Sequence, residues 1–286
     1  MSPDLFRELF DDASLFPPAA LPMADAISGH LRHQAAWYSA ASGPFVCADT
    51  RIPELSTALT AAGVAELDLA LVLPGGAASL DSAVDGVFAD PRLRLRAIEL
   101  PVAASADTLA AVSAVAAALD KTPLAGAAAF VEIPARQLTA EVSRAVADHR
   151  YLAKVRTGGT TAEAFPDEPT LASCLATLVA ERLPFKCTAG LHHAIRHSAT
   201  DTGFEHHGFL NVVLAVAAAL SSDQIEGVTA ELADSAASRV AAKVSELDAD
   251  TVFAVRELFT SFGTCSTDEP IADLVTLGLM SADQGG

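Results

Sequence analysis

The stretch from residue 151 to residue 211 decides how this chain folds. It contains two strand-like runs that both end in glycine turns, YLAKVRTGG (151–159) and LPFKCTAGLHHAIRH (183–197), followed by FEHHGFLN (204–211). Each run carries a lysine, Lys154 or Lys186, at a position where the core of a strand normally holds an apolar residue. Because lysine is rarely buried without a partner or a function, we expect the chemistry of the protein in this stretch.

The same alternation of strands and helices extends over most of the chain. Helices are predicted over 23–37, 105–119 (with Ser105 as N-cap), 138–147, 168–180 and 209–220. Since parallel strands need a crossover of a dozen or more residues, this rhythm indicates a parallel sheet. The predicted strands are 45–49, 66–74, 92–102, 125–134, 151–157, 183–189 and 258–264.

Seven or eight strands with helices between them favour a closed (β/α)8 barrel formed by a single domain, residues 1–286. Residues 222–258 are mostly helical in pattern and predict an irregular seventh unit. Residues 1–42 are interpreted as an N-terminal capping segment, in which the Asp11-Asp12 pair is expected to be solvated or to start a helix. An open doubly wound sheet is the rival architecture, but no GxGxxG motif follows the first predicted strand.

The composition of the chain argues against some kinds of binding partner. A net charge of −18 argues against a nucleic-acid partner, because such binding neutralises phosphates with Lys and Arg. The longest apolar run, 208–220, is too short to span a bilayer, and the acidic start MSPDLFRELFDDA is not a secretory leader. The four cysteines form no CxxC pair. These features predict a cytoplasmic protein with reduced thiols and no membrane partner, and they leave a homo-oligomer open.

The period of two along a strand predicts which side chains meet. Lys154 and Arg156 share one face of their strand, and Lys186 and Thr188 share one face of the next. If these faces point into a barrel, both lysines converge at the carboxyl ends of the strands, where catalytic groups of such barrels lie. Two ammonium groups held close would lower one another's pKa, and a neutral lysine attacks carbonyl carbons. The alternative is that each lysine reaches solvent or pairs with a carboxylate such as Glu132.

Three motifs, KVRTGG, FKCTAGLH and FGTCST, resemble the last strand motifs of deoxyribose-phosphate aldolase-type class I aldolases. The resemblance implies that Lys154 is the Schiff-base lysine and that Lys186 is the second lysine, which lowers the pKa of the first. It also implies that the last turn binds an anion through Gly263, Thr264 and Ser266. Arg156 stands where that family has a small hydroxyl residue, and Glu99 or Glu132 is available for proton relay.

The function predicted from these residues is that of a Schiff-base lyase or aldolase acting on an anionic (phosphorylated or carboxylated) carbonyl substrate, without a cofactor. Histidine titrates in the range useful for acid/base catalysis, and His192 and His193 follow a strand end directly. The predicted catalytic residues are Lys154, Lys186, His192, His193 and Glu132. The predicted substrate-binding residues are Arg156, Thr157, Thr188, Gly190, Gly263, Thr264 and Ser266.

Two alternatives remain open at the level of the sequence. In the first, the histidine-rich loop binds a divalent metal ion of a metal-dependent lyase, isomerase or hydrolase, because imidazoles with a carboxylate are common metal ligands. The second is a non-catalytic barrel that binds an anionic metabolite. Cys265 is interpreted as a packed small thiol, because no adjacent base can be identified. The candidate metal ligands are His193, His197, Glu205, His206 and His207.

Overall fold

A computed structural model describes residues 3–103, 105–200, 202–222 and 224–282. Eight parallel strands form a closed barrel in the order β1-β10-β7-β6-β5-β4-β3-β2, with the helices around it, so the predicted (β/α)8 fold, that of a TIM barrel, is confirmed. A separate two-stranded antiparallel hairpin is formed by β8 and β9. The strands are β1 Phe10–Asp12, β2 Ser42–Ala48, β3 Leu67–Val72, β4 Leu93–Pro101, β5 Ala128–Glu132, β6 Leu152–Arg156, β7 Phe185–Thr188, β8 His197–Ser198, β9 Glu205–His206 and β10 Phe259–Thr264.

The helices cover the outside of the barrel, and several begin where a side chain caps them. Asp107 caps α4 by accepting a hydrogen bond from the Ala110 amide at 3.0 Å, so the predicted N-cap Ser105 is wrong by two residues. The helices are α1 Met23–Gln34, α2 Ile52–Ala62, α3 Leu80–Phe88, α4 Thr108–Leu119, α5 Ala140–Asp148, α6 Glu168–Ala180, α7 Phe209–Ser221, α8 Ile225–Ala233, α9 Ala237–Glu246, α10 Ala249–Leu258 and α11 Asp268–Thr276.

The first barrel strand lies inside the predicted capping segment. β1 pairs with β10 on one side and with β2 on the other, and it thereby closes the barrel. Asp11 and Asp12 are both buried, so the expectation that they are solvated or start a helix is wrong. Three residues are too few to display the alternation by which a strand is recognised in a sequence, and barrel closure rather than local pattern makes this segment a strand.

The seventh unit is irregular, as predicted. Residues 225–258 form the three short helices α8, α9 and α10 before the chain enters β10. The segment VTAEL (228–232) lies within α8. Asn211, fully buried in α7, donates its amide hydrogens to the carbonyl oxygens of Glu231 and Asp234, both at 2.8 Å. This side chain therefore fixes the additional helices to the barrel.

The barrel interior contains a small apolar layer and, next to it, a charged layer. Ala97 and Phe130 belong to the apolar layer, two residues before Glu99 and Glu132 on the same strands. Because alternate residues share a face, these two carboxylates also point inward, nearer the carboxyl ends of the strands. Within the described residues, no helix has both the length and the apolar character that crossing a membrane requires.

Candidate functional site

A network of alternating charges crosses the barrel interior. The Lys186 Nζ atom contacts the Asp11 carboxylate and lies 2.5 Å from Glu99 Oε1. The second Glu99 oxygen, Oε2, lies 2.8 Å from the Lys154 Nζ atom. Lys154 and Lys186 occupy opposed positions on the paired strands β6 and β7, so a single carboxylate from β4 reaches both ammonium groups.

The network continues toward the carboxyl ends of the strands. Lys154 Nζ lies 3.0 Å from Glu132 Oε2, and the Arg156 Nε atom donates to Glu132 Oε1 at 3.0 Å. The connected groups are three carboxylates and three cations, so their formal charges cancel. Mutual pairing is what permits so many charges in a buried site, since each unpaired charge there would cost several kcal/mol.

Lys186 does not have the lowered pKa that the sequence suggested for one of two close ammonium groups. Burial by itself would lower the pKa of Lys186, but the carboxylates of Asp11 and Glu99 outweigh burial and raise that pKa. The expectation considered only the repulsion between the two ammonium groups, whereas the Glu99 carboxylate lies between them. The resting network therefore holds Lys186 protonated at neutral pH.

The carboxylates of the network differ in their affinity for protons. Burial would raise the pKa of Glu99, but Lys154 and Lys186 together lower it to about 2. The pKa of Asp11 is raised, because its burial outweighs the single ammonium group of Lys186. The Ser261 hydroxyl donates to Asp11 Oδ2 at 2.9 Å. Of these two carboxyls, Asp11 is the one better able to hold a proton.

Both lysines are buried, but they lie toward opposite mouths of the barrel. The side chains of Lys154 and Lys186 are 4% and 2% exposed, whereas Glu132 is 17% and Arg156 46% exposed. Arg156 and Glu132 thus lie above Lys154 at the carboxyl-end mouth of the barrel. Lys186 instead lines a cavity of about 430 Å³, which opens between the first residues of several strands at the opposite mouth and also contains Asp11.

The glycine turns after β6 and β7 are built for close backbone packing. A Cβ atom on Gly190, which has φ +80°, would lie 2.8 Å from the Thr157 carbonyl oxygen and 3.0 Å from the Gly158 Cα atom. The Thr157 hydroxyl hydrogen is already in a hydrogen bond, which it donates to the Ala189 carbonyl oxygen at 2.5 Å. Gly190 and Thr157 were predicted to bind the substrate, and in this structure their described contacts join two neighbouring turns to each other.

The turn after β10 has more room. A Cβ atom on Gly263 would meet only Ala13 Cβ and Thr188 Oγ1, each at 3.8 Å, so Gly263 lies beside Thr188 at the mouth. The Thr264 hydroxyl is buried and donates to the Ser266 carbonyl oxygen at 3.0 Å. The anion-binding role of this turn stays a prediction.

The predicted acid/base histidines each pair with a carboxylate from α11. His192 Nδ1 lies 3.1 Å from Glu269 Oε2, and His193 Nδ1 lies 3.1 Å from Asp273 Oδ2. The Cys265 Sγ atom lies 3.7 Å from His192 Nδ1 and 3.9 Å from Nε2. The expectation that no base lies near Cys265 is therefore wrong.

The histidine loop brings some of the candidate metal ligands together and separates others. The ring of His197 lies 4.7 Å from that of His193 and 5.2 Å from that of His206, measured between centroids. His207 points away, and its Nε2 atom donates to the Pro166 carbonyl oxygen at 2.7 Å. Glu205 pairs with Arg196 at 2.7 Å. Across the part of the chain that the structure describes, no group of three or more His, Cys, Asp or Glu residues has a geometry that could hold a metal ion.

Sequence reasoning missed Asp11 and Glu269. Asp11 was expected to be solvated or to start a helix but binds Lys186, whereas Glu269, in the first turn of α11, binds His192. For Asp11 one signal was available in the sequence. Two inward lysines and an arginine require about three carboxylates, and only Glu99 and Glu132 had been identified. No local signal marks Glu269, which lies 77 residues from His192 in the chain. Comparison with known protein families and with curated proteins found no match to this chain.

Proposed function

We propose that this barrel is a Schiff-base lyase in which Lys154 forms an imine with a small anionic carbonyl substrate. The observation that carries the proposal is the meeting of Lys154 and Lys186 at Glu99, in the layer of the barrel next to the carboxyl-end mouth. Imine chemistry needs one amine that reaches the substrate and neighbouring groups that exchange protons with it. In the proposal, Lys154 is the amine, and the carboxylates of Glu99 and Glu132 beside it are the groups that exchange protons with it.

Lys154 is the better candidate for the nucleophile. Lys186 binds the two carboxylates Asp11 and Glu99, and it lines the cavity at the amino-terminal mouth. Lys154 also contacts two carboxylates, but it shares Glu132 with Arg156. Lys154 is therefore joined directly to the residues at the carboxyl-end mouth, where the substrate is proposed to bind.

The proton balance of the proposed reaction can be written with residues of the network. Lys154 transfers a proton to Glu132, and its neutral nitrogen forms a bond to the carbonyl carbon of the substrate. The carbonyl oxygen takes up one proton from Glu132 and one from the attacking nitrogen and leaves as water, which produces the iminium ion. Glu132 then takes the proton of a hydroxyl group on the β carbon, so that a C=O bond forms there, the Cα–Cβ bond breaks, and its electron pair forms the C=C bond of an enamine as the iminium ion is neutralised. Return of that proton to Cα and hydrolysis of the imine release the second product and restore Lys154. Lys186, held protonated beside Glu99, keeps positive charge near the site throughout.

Arg156 is the residue proposed to bind the anionic group of the substrate. Its guanidinium lies above Lys154 at the mouth, and it is the most exposed member of the network. A phosphate or carboxylate can accept two parallel hydrogen bonds from a guanidinium. Such a ligand would compete with Glu132 for Arg156 and would leave Glu132 free to take the proton of Lys154.

Borohydride trapping tests the proposal with little background, because the chain contains only four lysines, Lys121, Lys154, Lys186 and Lys243. The full-length protein is incubated with a panel of phosphorylated and carboxylated aldehydes and ketones, reduced, and analysed by intact mass and peptide mapping. We expect one adduct on the peptide that contains Lys154. Lys154→Arg, which keeps the charge of the network but forms no stable imine, should lose it.

Matched variants control for surface reactivity and for folding. Lys121→Arg should keep the adduct, because Lys121 is exposed and lies outside the network. Circular dichroism of Lys154→Arg should match that of the wild type. Adducts distributed equally over Lys121 and Lys243, or no adduct with any member of the panel, would contradict the proposal.

A further inference from the structure

Cys265 is the one cysteine whose sulfur the structure places against an imidazole, among the contacts of the described residues. The other three, Cys47, Cys174 and Cys187, are buried, and burial raises the pKa of the first two to about 12 and raises that of the third as well. A thiol reacts as its thiolate, so these three should be inert. Cys265 is also buried, at 8% exposed, but its sulfur lies against His192 and it directly follows β10.

The partners of Cys265 form a relay of three groups. The Sγ atom lies 3.7 Å from Nδ1 and 3.9 Å from Nε2 of His192, and Nδ1 is bound to Glu269 Oε2 at 3.1 Å. With its Nδ1 hydrogen donated to Glu269, the imidazole has Nε2 free to accept the thiol proton. A nucleophile, a base and a carboxylate that orients the base are the elements of an activated thiol.

The surroundings of His192 favour its protonated form. Burial alone would lower its pKa, but Cys265 and Glu269 outweigh burial and raise that pKa to about 9. His193 and His197 also face Glu269, and His193 itself is paired with Asp273. An imidazolium held beside a sulfur atom stabilises the thiolate electrostatically.

We propose that Cys265 is a thiolate activated by His192 and is a site of oxidation to a sulfenic acid by a small hydroperoxide. The small exposed fraction of Cys265 admits only a compact electrophile, and hydrogen peroxide is the simplest member of that class. The sulfur attacks one peroxide oxygen, so that an S–O bond forms and the O–O bond breaks. The sulfur is oxidised to a sulfenic acid, the peroxide is reduced, and the departing hydroxide takes the proton of the His192 imidazolium as water. This site does not depend on the lysine chemistry proposed above.

The test treats the full-length protein with hydrogen peroxide, traps sulfenic acid with a cyclic 1,3-diketone, and maps all four cysteines by mass spectrometry. We expect the label on Cys265 and none on Cys47, Cys174 or Cys187. His192→Asn should lower the rate of labelling at pH 7 by on the order of tenfold, because the variant lacks the imidazole that accepts the thiol proton and stabilises the thiolate. His193→Asn is the matched control, since it removes a neighbouring imidazole that is also paired with a carboxylate.

A second measurement separates activation from mere accessibility. The rate of alkylation of Cys265 by iodoacetamide is followed against pH in the wild type and in His192→Asn. We expect alkylation in the wild type to persist to lower pH than alkylation in His192→Asn. The proposal is overturned if Cys265 is not modified in the folded protein, or if His192→Asn and the wild type give the same rates and the same profile.

Discussion

Replacing Glu99 by glutamine should be among the most destabilising single substitutions in this protein. Glu99 is fully buried and contacts both Lys186, at 2.5 Å, and Lys154, at 2.8 Å. Glutamine preserves the size of the side chain, so the change removes one charge and creates no cavity. The network would change from three carboxylates facing three cations to two facing three. Removing one member of a buried ion pair costs about 3–5 kcal/mol, and we expect a loss of unfolding free energy in that range.

A second substitution in the same network provides the critical comparison. Adding Lys154→Met to Glu99→Gln makes the numbers of negative and positive charges in the network equal again, because two carboxylates then face two cations. The double variant should therefore be less destabilised than the sum of the single variants, by on the order of 1–3 kcal/mol. Glu54→Gln, which breaks a surface pair with Arg51, should leave the denaturation midpoint unchanged.

Urea denaturation followed by circular dichroism measures these differences at several pH values. The folded-state pKa of Glu99 is about 2, below its ordinary value of 4.5. Its contribution to stability is therefore fully present above pH 4.5 and is lost as the pH falls toward 2. The difference between wild type and Glu99→Gln should shrink over that interval. A loss smaller than about 1 kcal/mol at neutral pH, or strict additivity in the double variant, would refute the reasoning.

Two further predictions concern a glycine turn and a histidine. Gly190→Ala should destabilise the protein by about 1–3 kcal/mol, because the added Cβ meets the Thr157 carbonyl oxygen at a positive φ. Gly227→Ala should instead stabilise the protein by about 0.5–1 kcal/mol, because Gly227 lies in the open interior of α8. Thermal denaturation of both variants checks that the two effects have opposite signs. The pKa of His192 is raised from 6.5 to about 9, so its pairing stabilises the fold fully below pH 6.5 and no longer above pH 9. His192→Asn should therefore lower the free energy of unfolding by about 2 kcal/mol at pH 6 and by little at pH 10, as measured by urea denaturation. Equal costs at both pH values would contradict this second prediction.

The alternation of strands and helices was readable from the sequence, because it depends on neighbouring residues. The predicted helices 168–180 and 209–220 correspond to α6 Glu168–Ala180 and α7 Phe209–Ser221. The period of two likewise indicated that Lys154 and Arg156 share a face, and both side chains contact Glu132. Local periodicity was therefore sufficient for the type of fold and for grouping Lys154 with Arg156 on one face of β6.

The N-terminal strand and the irregular unit show where local pattern was insufficient. β1 contains three residues, and its identity as a strand follows from its pairing with β10 and β2. The segment LFDDASLF (9–16) has no apolar alternation long enough to identify it. For the same reason Asp11 could not be assigned to the barrel interior from the sequence.

The sequence by itself determined the type of fold, which side chains share a face of the strands that carry Lys154 and Lys186, and the presence of two lysines that require partners. Only the tertiary structure decided which partners they have, since Asp11 lies 175 residues from Lys186 in the chain. It also decided that His192 lies against Cys265, 73 residues further along. The physical reason is that closure of the barrel brings the first strand and the last strand together beside β7. The charge state of every group in the site depends on those long-range neighbours, and no periodicity within a single segment encodes them.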